Sequence, residues 1–448
     1  MVRSLPLAGL VAGLLSAAPA LAQEAPRTLT LEEAQALAGE NSHAVGAMRQ
    51  RVEEMRSRRS MAFTHYLPRV DTRVAYLVNN NEQGILIPQG SLGFFPELGG
   101  SFPPSNRNIP QGGTDLFFTF TTLAQPLTHV FKIRQGRGVA TADEEAARAE
   151  LDGVGQEVAL GVLKAYAGLL VAGRGRELAR ARVAAAQERL SYREAAVASG
   201  TVHEVAGREG RVQWLEARQA LLEKDGEVDD LTYALADAIG LPPETRFSLQ
   251  GPASPEVRPL SHEPYLEAAL RENPEVRGAR ALVRKADHGV GAARADYIPE
   301  VGILGTHIYQ SSVPFFPKHT LGVGVQAKWT VFDFGARSKV VQERRAQLGQ
   351  AERNLDMVEG RVRGEVEAAY RRLERAAEMV GLAREGMALR SEASRLRVLQ
   401  ASTGYALPAD ALEAEADRME GELDVLKAEL AYRIALAELE KAAGTLRR

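Results

Sequence analysis

The chain contains no cysteine among its 448 residues, which excludes structural disulfides, thiolate metal sites and lipidation at an N-terminal cysteine. Aromatic residues make up only 6%, which argues against one large compact core, although the length would fit two or three ordinary domains. A formal net charge of −3 leaves no basic footprint for nucleic acid. Beyond the first 22 residues no run approaches 18 uninterrupted apolar residues, so no transmembrane helix is expected in the mature chain. Catalytic patterns are missing too. His43, His65, His129, His203, His262, His288, His307 and His319 are scattered without HExxH or carboxylate spacing, and read as surface or packing residues. There is no GxGxxG after a strand, no phosphate loop and no GxSxG; Gly173-Arg174-Gly175 lies inside a helical pattern with no strand before it. Nothing assembles nucleophile, base and oxyanion donor, so neither an enzyme nor a cofactor or metal is expected.

What is present begins with an export signal over residues 1–22: Arg3, the apolar stretch Leu5 to Ala18, and Ala20-Leu21-Ala22 before Gln23. Thr30 and Glu33 have capping-box spacing, and helical sequence follows to about His65, stopped by Tyr66-Leu67-Pro68. Alternation marks strands at about 69–78 and 114–124, separated by a long loop rich in Gly, Pro, Asn and Ser. A helix then spans about 132–199, Gly200 interrupts it, and helix resumes to Ile239 before Gly240. A Pro-rich segment covers 241–262. The order then repeats: helix from Tyr265 to Asp296, the stop Tyr297-Ile298-Pro299, strands at about 300–309 and 320–332, a helix at about 336–403, Gly404, and helix to Ala443. In the last strand Leu321, Val323, Val325, Ala327, Trp329 and Val331 alternate with small or polar residues, as on a strand that faces lipid on one side and water on the other.

The order is an internal duplication of residues 23–240 in 263–448. Pro126 and Thr330, Gly200 and Gly404, and Gly240 and Gly444 are each 204 residues apart. Helix length constrains the packing: Lys132 to Ser199 reaches roughly 100 Å at 1.5 Å per residue, too long to lie inside a globular domain. Val366, Leu373, Val380 and Met387 recur every seven residues, interleaved with Val362, Ala369, Ala376 and Ala383, a seam suited to close helix–helix packing. The fold class is therefore mainly α with a small β part, built from a duplicated helix–β-hairpin–long helix–helix unit. An alternative consistent with these features is a periplasmic coiled-coil scaffold or adaptor whose strands form a soluble sheet.

The duplicated layout, the Tyr-Leu-Pro and Tyr-Ile-Pro approaches to the hairpins, and the strand-to-helix exits Gln125-Pro126-Leu127 and Trp329 to Arg337 together resemble the TolC-like outer-membrane efflux protein family, as does the helix-turn-helix from Gly404 to Leu426. The resemblance covers nearly the whole mature chain. It implies a homotrimer in which four strands per protomer form one 12-stranded outer-membrane β-barrel, continued by a trimeric α-helical barrel in the periplasm. The Pro-rich linker would be the equatorial region. Such a protein is a passive exit duct for efflux or type I secretion, coupled through a periplasmic adaptor protein to an inner-membrane transporter. Four strands cannot close a barrel alone, and an open edge is not viable in lipid, which agrees with a wall shared between protomers.

The resemblance also places a constricting ring of carboxylates at the periplasmic tip, on Asp410 and Glu413, near the turn glycines Gly200 and Gly404. Alternation assigns Val74, Phe118, Phe120, Val323, Val325 and Trp329 to outer-membrane lipid, and Asp71, Arg73, Gln326 and Lys328 to the barrel lumen. In the family's best-known member tyrosine, arginine and aspartate side chains latch the closed tip. The matching positions here are Ala401, Ala406 and Ala206, so that latch is missing.

Overall fold

Thr30 starts the first long element. Its hydroxyl accepts from the Glu33 amide at 3.2 Å, and Glu33 accepts from the Thr30 amide at 3.0 Å, so two of the orphan donors at a helix start are satisfied reciprocally. A computed structural model describes residues 27–447, apart from 83, 243, 244, 246, 252, 259, 312, 314 and 315; the expected export signal lies outside the described residues. The elements run β1 (Arg27–Leu29), α1 (Leu31–Asn41), α2 (His43–Thr64), β2 (Arg69–Val78), β3 (Gly84–Ile87), β4 (Phe94–Phe95), β5 (Gly100–Ser101), β6 (Arg107–Pro110), β7 (Asp115–Pro126), α3 (Val130–Ala198) and α4 (Glu204–Ala238). They continue as β8 (Phe247–Leu249), α5 (Glu263–Glu272), α6 (Pro274–Ala295), β9 (Glu300–Gln310), β10 (His319–Lys328), α7 (Ala336–Ser402) and α8 (Pro408–Ala443).

Three features depart from the sequence expectation. Each helix ahead of a hairpin is broken in two. Ser42 caps α2 and Asn273 caps α6, each standing 26 residues before the proline that opens a strand, Pro68 or Pro299. The Asn273 side chain accepts from Glu275 N–H at 2.8 Å, and Pro274 occupies the first helical position, where its missing N–H costs nothing. The long loop before β7 folds into two small antiparallel pairs, β3 with β6 and β4 with β5. Finally, β1 and β8 form a parallel pair that ties the N-terminal segment to the linker between the halves. The buried Tyr166 of α3 fixes that pair: its hydroxyl lies 2.8 Å from the Leu29 carbonyl and 2.7 Å from that of Gln250. Its single proton serves one at a time.

The helices form the core. Val358, Val362, Val366, Ala369, Leu373 and Val380 of α7 are buried against Ala428, Tyr432, Ala435 and Leu439 of α8, using the seven-residue seam. A second cluster joins Val162, Tyr166 and Leu169 of α3 to Ala34 and Ala38 of α1 and Val228 and Leu235 of α4. One 18-residue window of α3 is apolar enough by length and composition to cross a membrane. Half of that window is buried, and α3 packs along α1, α2, α4, α6 and α8, so its apolar character serves packing.

At the ends of the halves two glycines close the bundle. Gly240 and Gly444 have φ of 70° and 75° and sit against the breaks between α1 and α2 and between α5 and α6. Asn41 donates to the Ile239 carbonyl at 3.2 Å, and Asn273 to that of Ala442 at 2.9 Å. The same joint is therefore built twice.

Candidate functional site: the sheet faces and the helical tip

The four long strands make one antiparallel sheet in the order β10-β9-β7-β2. Directly opposed residues of an antiparallel pair share a face, so the register sorts the sheet without ambiguity. Asp71 opposes Thr122, Arg73 opposes Phe120, and Ala75 opposes Phe118. Phe120 opposes Ile308 across the next pair, and Gly302 and Glu300 oppose Gln326 and Lys328 across the last. Asp71, Arg73, Gln326 and Lys328 thus share one face, joined by Arg69 and Glu300. The other carries Val74, Tyr76, Thr119, Thr121, Ile303, Leu321, Val323 and Val325 and none of those charges; a 3.1 Å contact between the Thr72 and Thr121 hydroxyls lies on it.

Phe118 and Phe120 require a correction. Expected beside Val74 and Val323, they lie on the charged face, with Phe120 directly opposite Arg73. Alternation along β7 groups Leu116, Phe118 and Phe120 together. It cannot tell which face of β2 they join, because that is a matter of register between strands. In β7 it is Phe117 that stands on the apolar face, with its ring centroid 5.9 Å from that of Tyr309. Trp329 also moves: β10 ends at Lys328, so Trp329 stands just past the strand.

From Trp329 to Gly335 the chain turns from sheet to helix. Asp333 accepts from Gly335 N–H and Arg337 N–H, both at 3.1 Å, and from Arg337 Nε at 2.6 Å. Arg337 also donates to the Thr330 carbonyl at 2.6 Å and lies over the Tyr297 ring, 5.1 Å from its centroid. The Arg337 hydrogen bonds hold the Asp333 carboxyl below its ordinary pKa.

At the opposite end, Gly200 and Gly404 have φ of 73° and 82° and end α3 and α7 in the left-handed conformation that a side chain disfavours. Thr201 N–H returns to the Ala196 carbonyl, and Tyr405 N–H to that of Gln400, both at 2.9 Å. Asp410 accepts from Leu407 N–H at 3.2 Å, closing the start of α8. The structure adds a residue that the sequence reading missed. Arg189 of α3 donates to Asp410 at 3.0 Å and, more closely still, to Glu413. Partial burial works against the Arg189 charge, but the bonds to Glu413 and Asp410 outweigh it and raise its pKa above the ordinary arginine value. The two carboxylates are thus clamped across helices by one guanidinium. Ala206, Ala401 and Ala406 offer no polar side-chain atom.

Two long helices, fed by hairpins that form an open four-stranded sheet with one charge-rich and one mainly apolar face, define a chain of the channel-tunnel type. The model of the family described as outer membrane efflux protein matches residues 35–241 and 265–445, and the chain belongs to that family. The alkaline protease secretion protein AprF of Pseudomonas aeruginosa is 25% identical over 348 residues, spanning 74% of this chain and 70% of its own length. The outer membrane efflux protein BepC of Brucella suis biovar 1 is 23% identical over 387 residues, 82% of each chain. The solved structure of the CmeC outer membrane channel of Campylobacter jejuni shares the fold, with a TM-score of 0.70 at 15% identity over 93% of this chain and 85% of that one.

Proposed function

We propose that the protein is the passive outer-membrane exit duct of a tripartite efflux pump or type I secretion system, acting as a homotrimer with a periplasmic adaptor and an inner-membrane transporter. The observation that carries this reading is the four-stranded sheet itself. Its edges are β10 and β2, both ten residues long, about enough for a tilted strand to cross the hydrocarbon core. One face gathers Arg69, Asp71, Arg73, Glu300 and Lys328, while the other, with Asp115 at the very start of β7, exposes Val74, Val323 and Val325 at 60%, 80% and 74%. Unpaired edges cannot remain open in lipid, so β10 of one protomer joins β2 of the next and three copies close a 12-stranded wall. Asp71, Arg73, Gln326 and Lys328 then line water, and Val74, Val323 and Val325 meet lipid. The two long helices per protomer continue the wall into the periplasm. AprF, a secretion protein, and BepC, an efflux protein, support both modes of export.

Asp410 and Glu413 form the narrow ring at the periplasmic tip. Three protomers bring six carboxylates, and three Arg189 side chains reduce the formal ring charge from −6 to −3. A net negative ring favours cations and repels anions. The chain works by conduction and not by catalysis. Extraction tests the barrel: membrane-bound protein that needs detergent and migrates as a trimer is the expected result. Release of the mature protein by osmotic shock alone would overturn it in favour of a periplasmic scaffold.

A further inference from the structure

We infer that an unpaired seam on α7 docks head to tail on an unpaired seam on α4 of the next protomer, in a register set by the internal duplication. The inference rests on the homotrimeric reading above and names the surfaces that would make it. Met379, Leu382, Leu389 and Leu396 of α7 are each 45% exposed or more, and Gly386 and Ala393 complete a heptad pattern with them. On α4, Val205, Val212, Leu215 and Leu222 are each 51% exposed or more, again at steps of three and seven. Contiguous exposed apolar surface of this kind marks an interaction site. The two seams cannot cover each other within one chain, because α4 packs on α3, α3 on α8 and α8 on α7. A contact between two different surfaces of identical chains repeats head to tail, and closes into a ring when the rotation allows.

The contact between α3 and α8 inside the protomer supplies the template. Arg182 of α3 pairs with Glu420 of α8 at 3.1 Å, and Leu178 is buried with Ala416 and Leu423, with Met419 packed beside them. The 204-residue repeat that separates Gly200 from Gly404 carries α3 onto α7 and α8 back onto α4. Arg182 opposite Glu420 becomes Gly386 opposite Glu216, and Leu178 with Ala416 and Met419 becomes Leu382 with Val212 and Leu215. Within one residue of that antiparallel register Met379 faces Leu222, Leu389 faces Val212 and Leu396 faces Val205, while Leu215 packs over Gly386. The flanking charges agree: Glu385 and Glu392 fall beside Arg218 and Arg211, and Arg390 beside Glu209. The Arg189 clamp has no counterpart, since Ala393 stands for Arg189 and Ala206 for Asp410. The boundary between protomers is therefore apolar where the boundary within them is tied by ions.

Disulfide trapping in the detergent-solubilised full chain tests the register. Leu389→Cys with Val212→Cys in one chain should, on mild oxidation, convert the monomer band of a denaturing gel into a covalent trimer that a reductant reverses. Met379→Cys with Leu222→Cys should do the same, and covers the case in which the first variant does not fold. Each single variant should stay monomeric on the gel. A dimer from Leu389→Cys alone marks a two-fold contact between α7 helices and overturns the seam. Cross-linking of Leu389→Cys with Gln219→Cys in place of the expected pair puts the helices one heptad out of step and overturns the register. A native trimer in which neither expected pair cross-links overturns the seam and leaves the homotrimer standing, whereas protein that is monomeric before oxidation overturns both.

Discussion

Arg189 reaches across from α3 to Asp410 on α8 at 3.0 Å, and the same guanidinium also binds Glu413. The three residues come from the two long-helix arms of the protomer, 221 and 224 positions apart. Two neighbouring carboxylates repel each other; the intervening cation lowers that cost and ties α3 to α8. Arg189→Gln removes the clamp without removing the carboxylates. Single-channel recordings in planar bilayers should then show stronger cation selectivity and stronger block by divalent cations than in the parent. Asp410→Lys with Glu413→Lys should move both in the opposite direction. Unchanged block in the lysine variant would remove these carboxylates from the constriction.

The tip illustrates how far a sequence can be read. Gly200, Gly404 and the capping pair Thr30 and Glu33 are local signals, and the structure places turns and a helix start at them. Asn273-Pro274 is also a local helix-start signal, whereas Ser42 has neither Gly nor Pro beside it, and its break is enforced by the joint with Ile239. Arg189, by contrast, is one arginine among many on a charged helix. Its role depends on which helix lies next to α3, and no periodicity encodes that. Phe120 fails for a related reason: alternation gives the two faces of each strand, but only register couples the faces of neighbours. The β1–β8 pair is three residues long and joins distant segments, too short to stand out from the linker composition.

Gly444 ends α8 with φ of 75°, and a Cβ there would lie 2.6 Å from the backbone of Asn273 and Glu272. Backbone cannot swing aside as a side chain can. Gly444→Ala therefore carries the left-handed penalty of about 1–2 kcal/mol and a displacement of the α5–α6 joint. Asn273→Ala leaves the glycine in place but removes the amide donor to Ala442 and the cap of α6, at about 1 kcal/mol for the cap. Both should lower the thermal unfolding midpoint of the solubilised protein, Gly444→Ala by more. Equal stability of Gly444→Ala and parent would mean that the joint is not rigid.

Because the chain has no cysteine, single introduced thiols report sheet faces without background. In intact outer membranes a membrane-impermeant maleimide entering through the lumen should label Gln326→Cys and Phe120→Cys. Val325→Cys and Thr119→Cys, on the other face, should be protected until detergent is added. Phe120 is the decisive position, since strand alternation alone and register give opposite expectations for it. Labelling at Thr119→Cys with protection at Phe120→Cys would reverse the face assignment for β7.

Asp333 provides a pH test at the sheet-to-helix junction. Its native pKa lies below the ordinary aspartate value, chiefly through the hydrogen bond from Arg337. A carboxylate depressed in the native state adds stability that is complete above its unfolded pKa and is lost as pH falls through the native one. The junction should therefore hold through the range where ordinary carboxylates protonate and loosen only below it. Trp329 stands four residues before Asp333 and is 59% exposed, so its emission reports the junction once Trp214→Phe has removed the other indole. In that background the emission change should have its midpoint below the pH at which an ordinary aspartate titrates. Asp333→Asn should abolish the transition and show the loosened emission already at neutral pH, because an amide retains the shape but not the charge-assisted bond to Arg337. A midpoint shared by both proteins would place the titrating group elsewhere and leave the turn at Phe334 and Gly335 to be held by backbone conformation alone.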